Sequence, residues 1–189
     1  MRQNPARRTA LLDAAIEVLA REGSRGLTLR AMDAEAEVPK GTASNYFPHR
    51  AELLAQVMRR ILERLTPEEA ALADTMSEQP DTALVVTLLK QLLERTRADR
   101  SSHLALLELR LEATRRPELH AELTQFMTEQ LDANIGFHLG AGLPGDRTGV
   151  VLLYLAMLGL IVDDLTVPDL LAPYSTDKLI EELSQRVLR

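Results

Sequence analysis

Cysteine is absent from the 189 residues, which excludes disulfides, thiol redox sensing and zinc held by thiolates. Tryptophan is also absent and aromatics make up 3% of the chain, so no cage for a planar cation is apparent. Runs of Val, Ile and Thr of the kind that build strands are lacking, while Leu and Ala dominate; the expectation is an all-α fold. The signatures of enzymes are missing as well. There is no G-x-S-x-G, no P-loop and no dinucleotide fingerprint. His49, His103, His120 and His138 form no H-x-x-x-H or H-E-x-x-H pair. Glu108/Glu112 and Glu118/Glu122 are helically spaced carboxylates with no histidine at ligand spacing, a pattern more typical of a solvated face than of a metal site. Neither an enzyme, nor a cofactor, nor a bound metal is expected. The longest apolar run, Gly149–Val162, has 14 residues and ends at Asp163-Asp164, which is short for a membrane span. Met1–Arg8 is basic, but no apolar stretch follows it to complete a signal peptide. A cytoplasmic protein without a membrane partner is expected.

What is present is unevenly charged. The net charge is −6, the wrong sign for a nucleic-acid binder, yet residues 1–60 carry 10 Lys/Arg against 7 Asp/Glu and residues 61–189 carry 12 against 21. A mildly basic first third precedes an acidic body that discourages phosphate contact elsewhere. An apolar content of 46% suits one or two globular domains.

The stretch Gly26 to Leu54, GLTLRAMDAEAEVPKGTASNYFPHRAELL, carries most of the information. A helix from about Thr28 to Ala36 has Thr28 as its N-cap and Leu29, Met32 and Ala36 on one face. Val38-Pro39 stops it, because a residue before proline is driven out of the helical region. Gly41-Thr42 opens a second, very short helix that ends near Phe47. It buries mainly Ala43 and Phe47; Thr42, Ser44, Asn45 and Tyr46 are small or hydrogen-bonding groups suited to phosphates and base edges. Its N-terminus offers free N–H groups to a phosphate, and Lys40 and Arg50 flank it with positive charge. This pattern fits a helix-turn-helix whose second helix enters the major groove. A helical bundle with no DNA role is the competing reading, and it leaves so polar a short helix without a purpose.

The segments RRTALLDAAIEVLAREG, GLTLRAMDAEAEV and PKGTASNYFPHRAELL resemble the DNA-binding domain of the TetR family of bacterial transcriptional regulators, over about residues 7 to 60. The resemblance implies an N-terminal three-helix DNA-binding domain over residues 1–50 and a helical ligand-binding and dimerisation domain over residues 51–189. It implies a homodimeric regulator, most naturally a repressor, that leaves a palindromic operator on the double-stranded DNA when a small-molecule effector binds. Thr42 and Asn45, with Ser44, would then face bases, and Thr28, Arg30, Lys40, Tyr46 and Arg50 would hold phosphates. Ala43 and Ser44 stand where similar proteins often have Leu and a larger residue, which points to a different operator.

The remaining chain reads as helices. Met1–Ala6 is an arm whose Arg2, with Arg7 and Arg8, either touches phosphate or is simply solvated. Arg7 to Arg21 forms the first helix, ended by Gly23. A fourth helix starts near Arg50 and runs to Leu65, joining the DNA domain to the body. Helices are then expected over 81–98, from a Ser101-Ser102 cap to Arg115, over 118–139, over 147–165, and from a Ser175 cap to Leu188. The 147–165 helix is apolar nearly all round, so it is either a core helix or half core and half interface. Ala156 and Gly159 permit close helix approach. The resemblance implies that it pairs, together with 175–188, as a four-helix dimer interface through Val151, Tyr154, Leu155, Leu158 and Val162. For the effector, His103, Leu107 and Arg110 share a stripe on one helix, and Phe126, Gln130, Asn134 and His138 recur at four-residue intervals on another.

Overall fold

The computed structural model describes residues 4–188, so the expected phosphate contact of Arg2 lies outside the described residues. Ten α-helices make up most of them, with no strand among the described residues: α1 Pro5–Gly26, α2 Leu29–Glu35, α3 Thr42–Tyr46, α4 Arg50–Leu65, α5 Glu69–Thr75, α6 Thr82–Ala98, α7 Arg100–Ala113, α8 Pro117–Gly140, α9 Arg147–Thr166 and α10 Thr176–Val187. A 3-10 turn, Pro168–Leu171, separates the last two.

The helices form two compact units. The first takes residues 4–66 and Asp99–Gln125, and the second takes Pro67–Ala98 and residues 126–188. These packing units do not coincide with a cut at residue 50. The apolar face of α1 (Leu11, Ala15, Ile16, Val18 and Leu19, all buried) packs against α2, α4 and α7, which draws α4 and α7 into the first unit. Each buried Leu, Ile or Val of this face contributes about 1.5–3 kcal/mol by leaving water.

Local signals explain the helix ends, and several differ from the sequence expectation. The arm is shorter than Met1–Ala6: Asn4 Oδ1 accepts from Ala6 N at 3.0 Å and caps a helix that begins at Pro5, where a missing N–H costs nothing. Gly23 breaks the helical backbone as expected (φ 71°, ψ −176°), and a further helical turn to Gly26 follows that kink. α2 ends before Val38-Pro39. Glu37 takes a left-handed φ of 52°, Glu37 N donates to Ala34 O and Val38 N to Asp33 O, so a Schellman closure stops the helix without a glycine. The cap of α7 is Asp99, whose Oδ1 accepts from Ser102 N at 3.1 Å, not Ser101-Ser102. Ser175 caps α10 as expected.

Arginine 64 ties three helices of the first unit. Its Nη2 lies 2.8 Å from Asp99 Oδ1 and 3.2 Å from Glu17 Oε1, and its Nη1 lies 3.5 Å from Asp13 Oδ1. Burial alone would raise the Asp99 carboxyl, but Arg64 and Ser102 overcome it and hold the group below the ordinary carboxylate range. A depressed folded value means that this stability is present above the unfolded value and is lost as pH falls through the folded one. Arg64→Met is expected to cost about 2 kcal/mol, since hydrogen bonds to charged groups contribute about 1.5–3 kcal/mol each, while Asp99 keeps Ser102, Glu17 keeps Ser101 and Asp13 keeps Arg60 as partners. The acid-unfolding midpoint, followed by circular dichroism, should move to higher pH, because burial is then opposed at Asp99 by Ser102 alone. An unchanged midpoint would show that Asp99 is not held by Arg64.

The second unit is built on Leu84 and Val85 of α6, Leu153 of α9, and Leu143 and Leu188 outside the helices, with Leu88, Leu89, Leu183 and Val187 packed beside them. Lys90 of α6 pairs with Glu181 of α10 at 2.7 Å, and Arg97 with Asp164 of α9 at 2.5 Å. In the loop 140–146, the Pro144 carbonyl accepts from His138 Nε2 at 2.9 Å. α9 has two characters. Val150, Leu153, Met157, Ile161 and Leu165 are buried, whereas Leu152 and Leu155 are 49% and 55% exposed. α9 has 20 residues, and an 18-residue window of it has a mean hydropathy of 1.9, so by length and composition alone it is long and apolar enough to cross a membrane, a test that core helices also pass. Leu153 of its buried stripe packs in the second unit's core.

Candidate nucleic-acid interface

The short helix α3 is held from behind. Ala43, Tyr46 and Phe47 are buried, while Ser44 and Asn45 are exposed and Thr42 is half-buried. Five residues make too few internal hydrogen bonds to be stable alone, since nucleation outweighs propagation at that length. The missing support comes from Asp33 on α2, which is 3% exposed. Its Oδ2 accepts from Gly41 N and its Oδ1 from Ala43 N, each at 2.7 Å. Thr42 N is satisfied by Pro39 O at 3.1 Å. A carboxylate from the preceding helix therefore serves as the cap that Gly41, with no side chain, does not provide. Gly41 itself has φ 89°, which the turn requires and which L side chains adopt only under strain.

This narrows one expectation: three N–H groups at the start of α3 already have partners, those of Gly41 and Ala43 in Asp33 and that of Thr42 in Pro39 O, so a phosphate would have to compete for them. Sequence reasoning missed Asp33. The available signal was an acidic residue in α2 eight positions before a glycine that opens a helix without a capping side chain.

The residues singled out from the sequence fall into two groups. Thr28, Arg30, Lys40, Ser44 and Asn45 are exposed. Thr28 Oγ1 accepts from Ala31 N at 3.1 Å and so caps α2, as expected. Arg30 and Lys40 line one depression together with Leu29, Asp33 and Gly41. Thr42 Oγ1 donates to Pro39 O and Ser44 Oγ to Gly41 O, at 2.5 and 2.7 Å, which leaves the oxygens of both hydroxyls able to accept.

Tyr46 and Arg50 stand apart. Tyr46 is 8% exposed and its Oη accepts from Asn4 N at 3.2 Å, which ties α3 to the start of α1. Arg50 donates from Nη1 to Leu27 O at 2.9 Å and from Nη2 to Ser24 O at 3.1 Å. Burial lowers its pKa, with the nearby charge of Arg116 acting in the same direction and Glu112 opposing it. Both residues help to hold the fold of this unit: Arg50, although exposed, directs both of these donors to backbone carbonyls, and Tyr46 serves Asn4 N as an acceptor. Arg8 is likewise inward, its guanidinium 5.2 Å from the centre of the Phe47 ring and bonded to Gln56.

The residues nominated for an effector are not gathered into one place within either unit. His103, Leu107 and Arg110, all half-buried, lie on α7 in the first unit, and burial lowers the pKa of His103 against the opposing pull of the Asp99 carbonyl. Phe126, Gln130, Asn134 and His138 lie on α8 in the second. Asn134 is exposed, and His138 is buried with its Nε2 bonded to Pro144 O in the following loop. Val151, Tyr154, Leu158 and Val162 are half-buried and Leu155 is exposed. They neighbour the outward side of α9, whose most exposed members are Leu152, Leu155 and Gly159.

Comparison with known proteins agrees with this geometry. The bacterial regulatory proteins of the tetR family match residues 11–57, and the tetracyclin repressor-like C-terminal domain matches residues 80–189. No curated protein sequence matches the chain. Among solved structures, a member of the TetR family from Streptomyces coelicolor A3 is 27% identical, with 98% of this chain and 99% of that chain covered and a TM-score of 0.69. The multidrug binding protein EbrR in complex with ethidium is 27% identical, with 97% of this chain and 99% of its own covered and a TM-score of 0.67. A transcriptional regulator from Rhodococcus sp. Rha1 shares the fold at 20% identity, with a TM-score of 0.71 over 96% of this chain and 95% of its own. With family matches at both ends of the chain and an exposed polar helix on a helix-turn-helix frame, this protein belongs to the TetR family of bacterial regulatory proteins and is a DNA-binding transcriptional regulator.

Proposed function

We propose that the chain acts as a homodimeric repressor that binds an inverted-repeat operator and leaves it when a small-molecule effector binds. The observation that carries the DNA half of this reading is α3, a polar helix fixed by a buried carboxylate and presenting Ser44 and Asn45 outward beside Arg30 and Lys40. Thr42, Ser44 and Asn45 read base edges, and Thr28, Arg30 and Lys40 hold phosphates. The dimer half is supported by the outward apolar side of α9, with Leu155 at its centre and Val151, Tyr154, Leu158 and Val162 around it. Two half-sites bound at once give far greater affinity than one. The release half is supported by the fold's use elsewhere: EbrR, of similar structure, is complexed with ethidium, imidazole or malachite green. The functional boundary near residue 50 and a cytoplasmic location belong to the same reading.

The test is selection of bound duplexes from a random library with the purified full chain at near-physiological salt. One enriched inverted repeat is expected, and a folded protein that enriches nothing would overturn the reading. On that site Asn45→Ala should lose about 1–3 kcal/mol and relax one position, whereas Lys40→Ala should weaken all sequences alike and reduce the salt slope by about one. Unchanged affinity and preference in Asn45→Ala would remove α3 as the reading helix.

A further inference from the structure

α6 carries three cations in its second half, and two of them have obvious partners. Lys90 meets Glu181, with Asp177 also within 3.5 Å, and Arg97 meets Asp164. These two are seven residues apart and so lie on one side of the helix. Arg95 points well away from that side. It continues the line of Leu84 and Leu88, which pack in the core of the second unit. One turn before it, Gln91 Nε2 donates to Thr75 Oγ1 of α5 at 3.0 Å, so the polar group preceding it on this side is satisfied. Arg95 is not: its side chain is half-buried and its Nε is buried with no hydrogen-bond partner. Burial is the one influence on its pKa, which it lowers, so neither carboxylates nor other cations act on it appreciably.

A guanidinium is a fork of donors that stays charged, and leaving one of its N–H groups dry and unpaired is unfavourable. Its neighbours along this side of α6 are Leu92 and Leu88, both half-buried. The complement of one positive fork among leucines is one planar negative group on an apolar tail. We propose that Arg95 is the anchor for an effector of the organic monocarboxylate class, with the carboxylate on its guanidinium and the hydrocarbon against the leucines of α6. A phosphate monoester fits less well, because a second negative charge would have no cation to meet. This inference rests on the effector reading above and names the chemical class for it.

The experiment is thermal unfolding of the full chain with four probes of equal chain length: octanoate, octyl phosphate, octanamide and octylamine. Octanoate is expected to raise Tm by about 3 °C or more at saturation and the other three by much less. Arg95→Met should melt higher than the natural chain without ligand, since an unpaired charge is removed, and should lose the octanoate shift, with affinity at least about tenfold lower. Arg95→Lys should keep part of it. An equal shift in Arg95→Met, an equal response to octanamide or octylamine, or no response to octanoate would each overturn the assignment. A larger response to octyl phosphate would overturn the choice of carboxylate. The operator recovered by duplex selection separates the two readings. Arg95-dependent octanoate binding that leaves DNA retention unchanged supports the anion site and sinks effector release. Release by other compounds, with Arg95 untouched by anions, does the reverse.

Discussion

Asp33→Ala is expected to destabilise the first unit by about 2–4 kcal/mol and to abolish measurable operator binding. The estimate follows from the two amides that the carboxylate satisfies, Gly41 N and Ala43 N, at 2.7 Å each. A buried amide left without a partner costs about 1–3 kcal/mol, and loss of a helix cap typically costs about 1 kcal/mol. The removal of a desolvated charge offsets part of this, which is why the range is not the sum of two charged hydrogen bonds. Loss of DNA binding should exceed what the change in stability implies. α3 has five residues and no cap of its own, so without Asp33 the orientation of Ser44 and Asn45 is no longer set. Asp33→Asn should be intermediate, since one oxygen can still accept. Chemical denaturation and operator titration at fixed salt would decide the matter. An alanine variant with natural stability and affinity would mean that α3 is held by the packing of Ala43, Tyr46 and Phe47 alone.

Gly23→Ala is expected to cost about 2–4 kcal/mol, for two separable reasons. At φ 71° and ψ −176° the residue lies in a region essentially restricted to glycine, a strain of about 1–3 kcal/mol for any other residue. A Cβ there would also lie 2.9 Å from Glu108 Oε2. That same oxygen accepts from Ser24 N at 3.4 Å, while Ser24 O accepts from Arg50 at 3.1 Å. Ser24 is thus gripped by α7 through its N–H and by α4 through its carbonyl, and the kink fixes how the chain leaves α1 for α2. The double variant Gly23→Ala/Glu108→Ala removes the collision and keeps the backbone strain, so a thermodynamic cycle over the two positions measures each part. Gly23→Ala should also weaken operator binding, because α2 and the Asp33 cap follow from this joint. A Gly23→Ala protein that melts with the natural chain would show that the kink is not a fixed feature in solution.

Much of this was legible in residues alone. Helix starts with a capping side chain, Thr28 and Ser175, were readable because the cap is local. The apolar stripes of α1 and α4 were readable because a period of 3.6 residues is written into the order of side chains, whereas α9 read as apolar nearly all round and its buried side was not. Charge sign by segment and the polar surface of α3 pointed to DNA for the same reason: both depend on composition within a short stretch.

The features that only the tertiary structure decided involve groups far apart in sequence or in unusual backbone. Asp33 looked like one more acid in DAEAE, and its burial under Gly41 and Ala43 depends on how α2 and α3 cross. The backbone partners of Arg50 and Tyr46, 23 and 42 residues away, were not readable from the order of residues. Glu37 closes α2 in a left-handed conformation that favours glycine, so nothing in its identity announced it. Arg95, one of three cations in its part of α6, was indistinguishable from Lys90 and Arg97 until the carboxylates of α9 and α10 were seen to reach those two. Sequence determined which surfaces were apolar, polar or charged, since side-chain chemistry and helical spacing are local. Which charge meets which partner was decided by packing, because hydrogen bonds and ion pairs act over a few ångströms, and only the folded chain brings those atoms that close.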